Sequence, residues 1–272
     1  NSALFSHAFE FSCQTLKNLS HHDIAHDFCG VVEVAYNEKS AKKINGIIAA
    51  DYPASLVTPL DDEQMKQAIG LEVKAPGLIY PNGGWLSPGD LTRAMVQEAQ
   101  TRGQLTVHFN AQAKDIKPHL GGWQFSYRDQ QHFTPLLIIA SGANQLGFAP
   151  LEQLPIFPVR GQVSHVPANQ QTQQLKTVLC YQGYLTPAHN NAHCIGASYG
   201  RNESGRAFCA AEHQENHTKI ISSLAQVDWP HWRRHWDHSS VPSAASRAEE
   251  QGWNYALPRL RQPQRGRHPP QG

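Results

Sequence analysis

The sequence lacks the features that mark several classes of protein. Its longest aliphatic run, residues 136–140, is far shorter than the roughly 20 residues that cross a bilayer. Its five cysteines are odd in number and never spaced C-x-x-C, which disfavours a disulfide framework or a thiolate metal site. With 23 basic and 22 acidic residues it has no strong net charge to attract nucleic acid or an anionic membrane. These absences predict a cytoplasmic protein outside the membrane, whose contacts with any RNA are local.

Local catalytic motifs are also missing. The sequence contains no G-x-G-x-x-G, G-x-x-x-x-G-K-[ST], G-x-S-x-G or H-E-x-x-H pattern. Two groups of histidines are candidate metal ligands: His231, His235 and His238 at helical spacing, and His21, His22 and His26. Tryptophans at 229, 232 and 236 indicate that the first group lies on an amphipathic helix that packs against the protein. The second group is no better supported as a metal site. We therefore predict no metal site.

The apolar content suffices for a core. The 272 residues are 40% hydrophobic, enough for one large or two small domains. Apolar spacing predicts helices over residues 1–20 and 38–50, with a short strand at 31–36 between them. The N-G-G sequence within residues 77–85 predicts a hairpin or a tight bend near a ligand.

The middle of the chain reads as a helix followed by strands. Ser87 is a good N-cap, Pro88 suits the first helical position, and Gly103 suits the end of the helix. Alternating apolar residues predict strands over 105–111 and 123–127. The continuous aliphatic run 136–140 predicts a strand covered on both faces, as in a parallel sheet, ending at Ser141 and Gly142. Such small residues let a ligand approach the backbone.

Five longer segments resemble one family of flavoenzymes. They are CGVVEVAYNEKSAKK, GLIYPNGGWLSPGDLTRAMV, PVRGQVSHVP, VLCYQGYLTP and HCIGASY. The chain from residue 1 to about 232 resembles the FAD-dependent oxidoreductase half of the bifunctional enzymes that make 5-methylaminomethyl-2-thiouridine in bacterial tRNA. That half belongs to the D-amino-acid oxidase, glycine oxidase and sarcosine oxidase class.

The resemblance implies a fold of the α/β plus antiparallel β class. An incomplete FAD domain like that of D-amino-acid oxidase would be interleaved with a substrate domain built on an antiparallel sheet. Residues 1–23 would form a helix at the domain junction, 24–84 and 155–232 the substrate domain, and 85–150 the FAD-binding portion. Residues 239–272, rich in arginine and proline towards the end, would form an irregular or disordered tail.

The resemblance also implies a reaction. The family half removes the carboxymethyl group from 5-carboxymethylaminomethyl-(2-thio)uridine at the tRNA wobble position, with FAD as oxidant. A methyltransferase half, absent from this sequence, would use S-adenosylmethionine to finish the product. The implied partner is tRNA, and we expect a monomer. Two alternatives stay open: a small-molecule glycine or D-amino-acid oxidase, and a non-catalytic truncated remnant.

Site residues follow by the same resemblance. The residues implied to contact the cofactor are Ala113, Ser141, Gly142, Gly161 and Gln162. Arg160, Tyr181 and Tyr184 are candidates to hold the glycine-like carboxylate, because arginine and tyrosine donate charged or strong hydrogen bonds to that group. The competing interpretation of Arg160 is a surface or interdomain ion pair.

Two departures weaken the match to the family. The glycine-rich βαβ unit that sets the FAD pyrophosphate on a helix N-terminus is absent. No counterpart of the family's closing segment is recognisable in residues 239–272. We therefore expect a piece of a longer protein that binds FAD weakly or not at all.

Overall fold

The computed structural model describes residues 2–142, 157–201 and 207–224. Its helices are α1 Ser2–Asn18, α2 Glu38–Ala49, α3 Asp62–Ile69, α4 Pro88–Thr101 and α5 Ala210–Ser223. Its strands up to residue 134 are β1 His26–Asp27, β2 Val31–Val34, β3 Thr58–Leu60, β4 Gly77–Tyr80, β5 Trp85–Leu86, β6 Lys114–His119, β7 Gly122–Tyr127 and β8 Gln130–Thr134. The later strands are β9 Val159–Arg160, β10 Ser164–Pro167, β11 Val178–Cys180, β12 Tyr184–Leu185, β13 Ala192–Gly196 and β14 Gly200–Arg201.

A seven-stranded mixed sheet carries the main core. Its strand order is β10-β13-β12-β11-β2-β4-β3, and every neighbouring pair is antiparallel except β11 with β2. The sheet joins strands from residues 24–84 with strands from residues 157–196, as interleaved segments require. Whether these segments and 85–150 divide as substrate and FAD domains stays a prediction.

Helices cover the two faces of this sheet unequally. On one face, Met65 and Ile69 of α3 and Ile220 of α5 pack with Val32 and Val34 of β2. On the other face, Ile44 of α2 packs with Leu78 of β4. This second face is covered over β2 and β4, whereas polar side chains project from it further along the sheet.

Helices α2, α3 and α4 each begin at a side-chain cap. Asn37 caps α2 by accepting a hydrogen bond from the Ser40 amide at 2.8 Å. Ser87 caps α4 with Pro88 in the first turn, and Gly103 follows the helix with a φ of 67°. The helices predicted at 1–20, 38–50 and after Ser87 are therefore confirmed.

The segment 77–85 is a tight bend and not a hairpin. Its strands β4 and β5 belong to different sheets, because β5 pairs with β1. The bend closes through the Gly83 amide, which donates to the Tyr80 carbonyl at 3.1 Å. Glycine is required at position 84, where a Cβ atom would collide with the Asp27 carbonyl.

Residues 106–137 form a separate compact unit, and the rest of the described residues form another. The smaller unit is built on the antiparallel sheet β6-β7-β8. The predicted strand at 123–127 is confirmed within β7, but the one at 105–111 is wrong, since these residues are irregular. Alternation alone does not make a strand when no neighbouring strand accepts its hydrogen bonds.

The aliphatic run 136–140 is likewise not a strand. Its Leu136 and Ile138 side chains are 72% and 80% exposed. Among the described residues no parallel strand pairs with the run, so nothing there covers its two faces. The histidines at 231–238 and the predicted tail at 239–272 lie outside the described residues. No helix in the described part of the chain has both the length and the apolar character needed to span a membrane.

Candidate functional site

A row of polar side chains crosses the partly open face of the seven-stranded sheet. Cys180 pairs with Glu33 on one side and with Tyr184 on the other, and Tyr184 pairs with Gly196. Paired residues share a face, as do residues two apart in one strand, so Cys194 joins them. We call Glu33, Cys180, Tyr184 and Cys194 the polar row. It lies opposite the face that carries Val32 and Val34.

Gly196 makes room for the Tyr184 side chain. A Cβ atom at position 196 would lie 3.2 Å from the Tyr184 hydroxyl and 3.0 Å from a methyl group of Val163. Both distances are tighter than ordinary van der Waals contact, so a larger residue would displace the phenol ring. The sheet therefore holds the Tyr184 hydroxyl over its surface at a defined place.

Glu33 is the charged end of the polar row. Its carboxylate accepts a hydrogen bond from Lys43 of α2 at 2.6 Å and one from the Tyr80 hydroxyl at 3.3 Å. The hydrogen bond to Glu33 raises the pKa of Lys43, and burial raises the pKa of Tyr80. The ammonium and the phenol thus keep their protons at neutral pH.

The tyrosine and thiols of the polar row are neutral hydrogen-bonding groups. Tyr184 and Cys194 are hydrogen-bonded to each other, and burial raises the pKa of Tyr184 to about 12. Burial also raises the pKa values of Cys180 and Cys194. Groups that stay protonated at neutral pH serve as hydrogen-bond donors to an anionic ligand and not as bases.

Tyr181 does not share the polar row's face. It belongs to the buried core under α3 and α5, with 7% of its surface exposed. Its hydroxyl donates to the backbone carbonyl of Tyr184 at 3.4 Å, and burial raises its pKa. Tyr181 therefore supports the strand that carries Tyr184, and its hydroxyl is directed at backbone.

Arg160 lies in an internal ion pair. Its guanidinium contacts the Glu212 carboxylate of α5 at 2.7 Å, and these side chains are only 11% and 13% exposed. It also donates to the Ala207 carbonyl at 2.7 Å and to Gln162 at 3.1 Å. The hydrogen bond from Arg160 lowers the pKa of Glu212. Arg160 is thus ion-paired, but the pair is largely buried and lies within one compact unit, not at the surface or between domains as the competing interpretation had it. It fixes β9 to the start of α5.

Gln162 extends the same network. Its amide exchanges two hydrogen bonds with the Cys209 backbone, at 2.8 and 2.9 Å. Its own backbone amide donates to the Ser198 hydroxyl at 2.9 Å, and that hydroxyl donates to Glu212 at 3.0 Å. Gly161 is exposed, and a Cβ there would meet only the Ser198 carbonyl at 3.5 Å.

The remaining residues implied to contact the cofactor lie outside regular strands. Ala113, expected on a strand, precedes β6 in an irregular segment of the smaller unit. Ser141 and Gly142 are exposed, and Gly142 has a φ of 57° with open space around it. Their backbone amides are accessible, but the covered strand predicted to present them is not formed.

The described residues do not provide a cradle for the FAD pyrophosphate. That group needs a helix N-terminus preceded by a glycine-rich turn, whose backbone amides point at the phosphates. In the described part of the chain, Asn37, Asp61 and Ser87 each close their helix N-terminus with a side-chain cap. The start of α5 has no such cap but carries the Glu212 carboxylate in its first turn, which disfavours a phosphate there. These four helix N-termini therefore do not form such a cradle.

Comparison with known proteins identifies the family. Residues 2–250 match the family DAO, FAD dependent oxidoreductase. The chain belongs to this family. It is 44% identical over 231 residues to the "tRNA 5-methylaminomethyl-2-thiouridine biosynthesis bifunctional protein MnmC" of Aeromonas salmonicida (strain A449), and the match covers 84% of this chain and 35% of that protein. The protein of the same name from Shewanella sp. (strain MR-7) is 37% identical, covering 82% and 32%. The chain thus spans about a third of these relatives' length.

Solved structures show the DAO fold. Glycine oxidase from Geobacillus kaustophilus superposes with a TM-score of 0.68 at 21% identity, covering 84% of this chain and 64% of that one. L-proline dehydrogenase from P. horikoshii superposes with a TM-score of 0.66 at 16% identity, covering 80% and 62%. The expected fold class, a partial D-amino-acid-oxidase-like fold, is confirmed.

Within this DAO fold, sequence reasoning missed most of the polar row and its neighbours. Glu33, Lys43, Tyr80 and Cys180 come together only through the register of β2, β4 and β11. One local signal was present, since Glu33 is a charged residue inside the apolar run VVEVA. Of the predicted carboxylate ligands, only Tyr184 lies on this face of the sheet; the assigned roles stay predictions.

Proposed function

We propose that this chain is part of an FAD-dependent oxidoreductase that removes the carboxymethyl group from 5-carboxymethylaminomethyl-(2-thio)uridine at the tRNA wobble position. The observation that carries the proposal is the 44% identity, over 84% of the chain, to a protein named for biosynthesis of this class of nucleoside. The proposed partner is tRNA, the proposed location is the cytoplasm, and the proposed state is a monomer.

The proposed reaction breaks a carbon–nitrogen bond in two stages. The N–CH₂ unit of the carboxymethylamino group loses two electrons and two hydrogens, giving a C=N bond. Water then hydrolyses this bond, releasing glyoxylate and leaving an aminomethyl group on the uridine. FAD, when bound, supplies the oxidising capacity; a separate methyltransferase half with S-adenosylmethionine would complete the product.

The residues of this chain have binding roles in the proposal. Tyr184 turns its hydrogen bond from Cys194 to the carboxylate of the glycine-like group, since its hydroxyl stays protonated at neutral pH and faces the partly open side. Tyr181 and Arg160 act as positioning residues. Tyr181 holds the Tyr184 backbone, and Arg160 holds β9 against α5 through Glu212.

A glycine or D-amino-acid oxidase is the second candidate. The structural likeness to glycine oxidase favours it, and the polar row suits any small amino acid with a carboxylate. A third candidate, a non-catalytic remnant, follows from the missing pyrophosphate cradle in the described residues.

A segment exchange separates these candidates. Residues of this chain would replace the matching 231-residue segment of the Aeromonas salmonicida relative, which supplies the rest of a complete protein. We expect the purified chimera to contain flavin and to convert the carboxymethylaminomethyl nucleoside in tRNA, as read by mass spectrometry of nucleosides. The relative itself, and the chimera carrying Tyr184→Phe, serve as controls.

Each outcome of the exchange assigns one candidate. Flavin-loaded chimera that oxidises free glycine and ignores tRNA supports the small-molecule oxidase. A folded but colourless chimera that takes up no added FAD supports the remnant. Activity on tRNA that falls steeply with salt supports the proposal, because phosphate contacts release counterions.

A further inference from the structure

Three potential metal ligands converge between the end of α1 and the last turns of α4. His21 Nε2 lies 3.0 Å from Glu98 Oε2, and His22 Nε2 lies 3.4 Å from the same oxygen. All three donor atoms lie within 4.8 Å of one another. We propose that His21, His22 and Glu98 bind a divalent transition metal of the zinc class, which clips the end of α1 to α4.

The spacing of the ligand atoms fits a tetrahedral ion. Zinc bonds of roughly 2.0 to 2.2 Å place neighbouring ligand atoms of a tetrahedron about 3.3 to 3.6 Å apart. The two measured distances, 3.0 and 3.4 Å, are close to this edge length. The third pair, the two Nε2 atoms, lies within 4.8 Å, and rotation of the more exposed His21 ring can adjust it. Three protein ligands leave the fourth position to water.

The backbone on both sides of the cluster is held in place by packing. Leu16 and Leu19 of the α1 end are buried against Ala94 of α4, with Leu91 packed alongside. The His22 amide donates to the Leu19 carbonyl at 2.9 Å, which fixes the turn that carries both histidines. Ligands on packed elements lose little freedom when a metal binds, so the site is organised in advance.

Arg102 holds the Glu98 carboxylate from the side away from the histidines. Both Arg102 hydrogen bonds go to Oε1, at 2.6 and 2.8 Å, and leave Oε2 to face the histidines. A ligating carboxylate that is itself hydrogen-bonded is the usual arrangement around protein metals.

The histidine rings combine access with partial burial. The side chain of His22 is 18% exposed and that of Glu98 23%, whereas His21 is 58% exposed and opens the cluster to solvent.

Metal binding requires lone pairs on both Nε2 atoms, so each neutral ring would carry its proton on Nδ1. Imidazole and carboxylate together favour zinc, nickel or iron over the hard ions calcium and magnesium. The sequence identified the histidines as candidate ligands but not Glu98, which is brought beside them by the packing of α4 against the end of α1.

A hydrogen-bonded cluster without metal is the competing interpretation, and a cobalt titration separates the two. The full chain would be freed of metal and titrated with Co²⁺, whose visible absorption distinguishes tetrahedral from six-coordinate binding, and then with Zn²⁺ as competitor. His231, His235 and His238 would be replaced by asparagine in every sample, since they form the competing histidine group in the sequence.

Two variants and one control test the assignment. Glu98→Gln keeps an oxygen for Arg102 but loses the anionic ligand, and His22→Asn loses one imidazole. We expect each to weaken Zn²⁺ binding by at least tenfold, on the order of what even outer-shell changes cost. His7→Asn is the matched control, because His7 contacts the single carboxylate of Glu10 at 3.5 Å and, in the part of the chain that the structure describes, no third ligand. It should leave the affinity unchanged.

A thermal readout accompanies the titration. Zinc should raise the melting temperature of the parent and of His7→Asn, and that rise should disappear in Glu98→Gln, because a ligand that binds only the folded state stabilises it. Equal Zn²⁺ affinity in Glu98→Gln and parent, or a six-coordinate Co²⁺ spectrum shared by all variants, would overturn the proposal. Because no flavin or tRNA enters the assay, its outcome is independent of the proposed enzymatic function.

Discussion

The seven-stranded sheet and the segment 106–142 differ in how much they bury. In the sheet, Leu179, Leu185 and Ile195 are completely buried, with helices packed on both faces. In the segment 106–142, all of which is described, Ser126 is the single buried residue, and 9% of its surface stays exposed. Aromatic rings stack on the three-stranded sheet there; Tyr127 and His132, for example, have ring centroids 4.1 Å apart.

This difference indicates where the free energy of folding resides. Burial of apolar surface contributes roughly 25 cal/mol per Å², so a sheet covered on one face and on part of the other carries far more of the stability than an open one. Cross-strand pairs on an open sheet contribute only about 0.2 to 1 kcal/mol each. The polar row lies on the seven-stranded sheet, and the ion pair of Arg160 holds β9 to α5, whose Ile220 packs in the core of that sheet. The seven-stranded sheet therefore supplies the rigid support for the candidate site.

The largest expected effect is at the centre of the covered sheet. Leu179→Ala should lower the free energy of unfolding by about 2 to 5 kcal/mol, because it removes a completely buried side chain and leaves a cavity. Urea unfolding followed by circular dichroism measures this. The matched control is Leu120→Ala in the smaller unit, where the side chain is 93% exposed, with an expected cost below about 0.5 kcal/mol. Similar costs at the two positions would abolish the contrast between the regions.

The same contrast explains what the sequence can predict. The helix after Ser87 follows from capping and spacing within a few residues, and the structure confirms it. The strands at 105–111 and 136–140 were predicted from equally clear patterns, but a strand needs hydrogen-bonding partners that a local pattern does not contain. The candidate site depends even more on distant pairing, because Glu33 and Cys180 meet only through the register of β2 with β11.

A smaller effect is expected at the helix that covers part of the polar face. Asn37→Ala should cost about 0.5 to 2 kcal/mol, since it leaves the Ser40 amide at the start of α2 without its side-chain acceptor. Asn37→Ser keeps a capping oxygen and is the control, with a cost near zero. Thermal unfolding of the three proteins side by side measures the difference. Equal melting temperatures for the alanine and serine variants would show that this cap does not anchor α2.

A pH-dependent effect is expected at the ion pair that fixes β9 to α5. Arg160 holds the pKa of Glu212 below its ordinary value of 4.5, so the folded state favours the ionised carboxylate. The resulting stability is present above pH 4.5 and is lost as the pH falls through the lowered pKa. Glu212→Gln should therefore be less stable than the parent near neutral pH, and the gap should close on acidification. Urea midpoints across a pH series give the test, with Glu215→Gln, on the same helix, as the control. A gap that is constant with pH would show that Glu212 acts through packing alone.

The smallest effect is expected in the exposed aliphatic run, where it sharpens the comparison most. Ile138 is 80% exposed, so Ile138→Ala removes almost no buried surface and should change the free energy of unfolding by less than about 0.5 kcal/mol. Ile195→Ala, at a completely buried position of β13, is the matched substitution and should cost about 2 to 5 kcal/mol. The two urea midpoints compare the same isoleucine-to-alanine change at an exposed position and at a buried one. A cost at Ile138 as large as that at Ile195 would mean that the run is covered on its faces in solution, as its aliphatic sequence predicts. In that case the run would form the strand that the sequence predicts, and Ser141 and Gly142 would lie at the end of that strand.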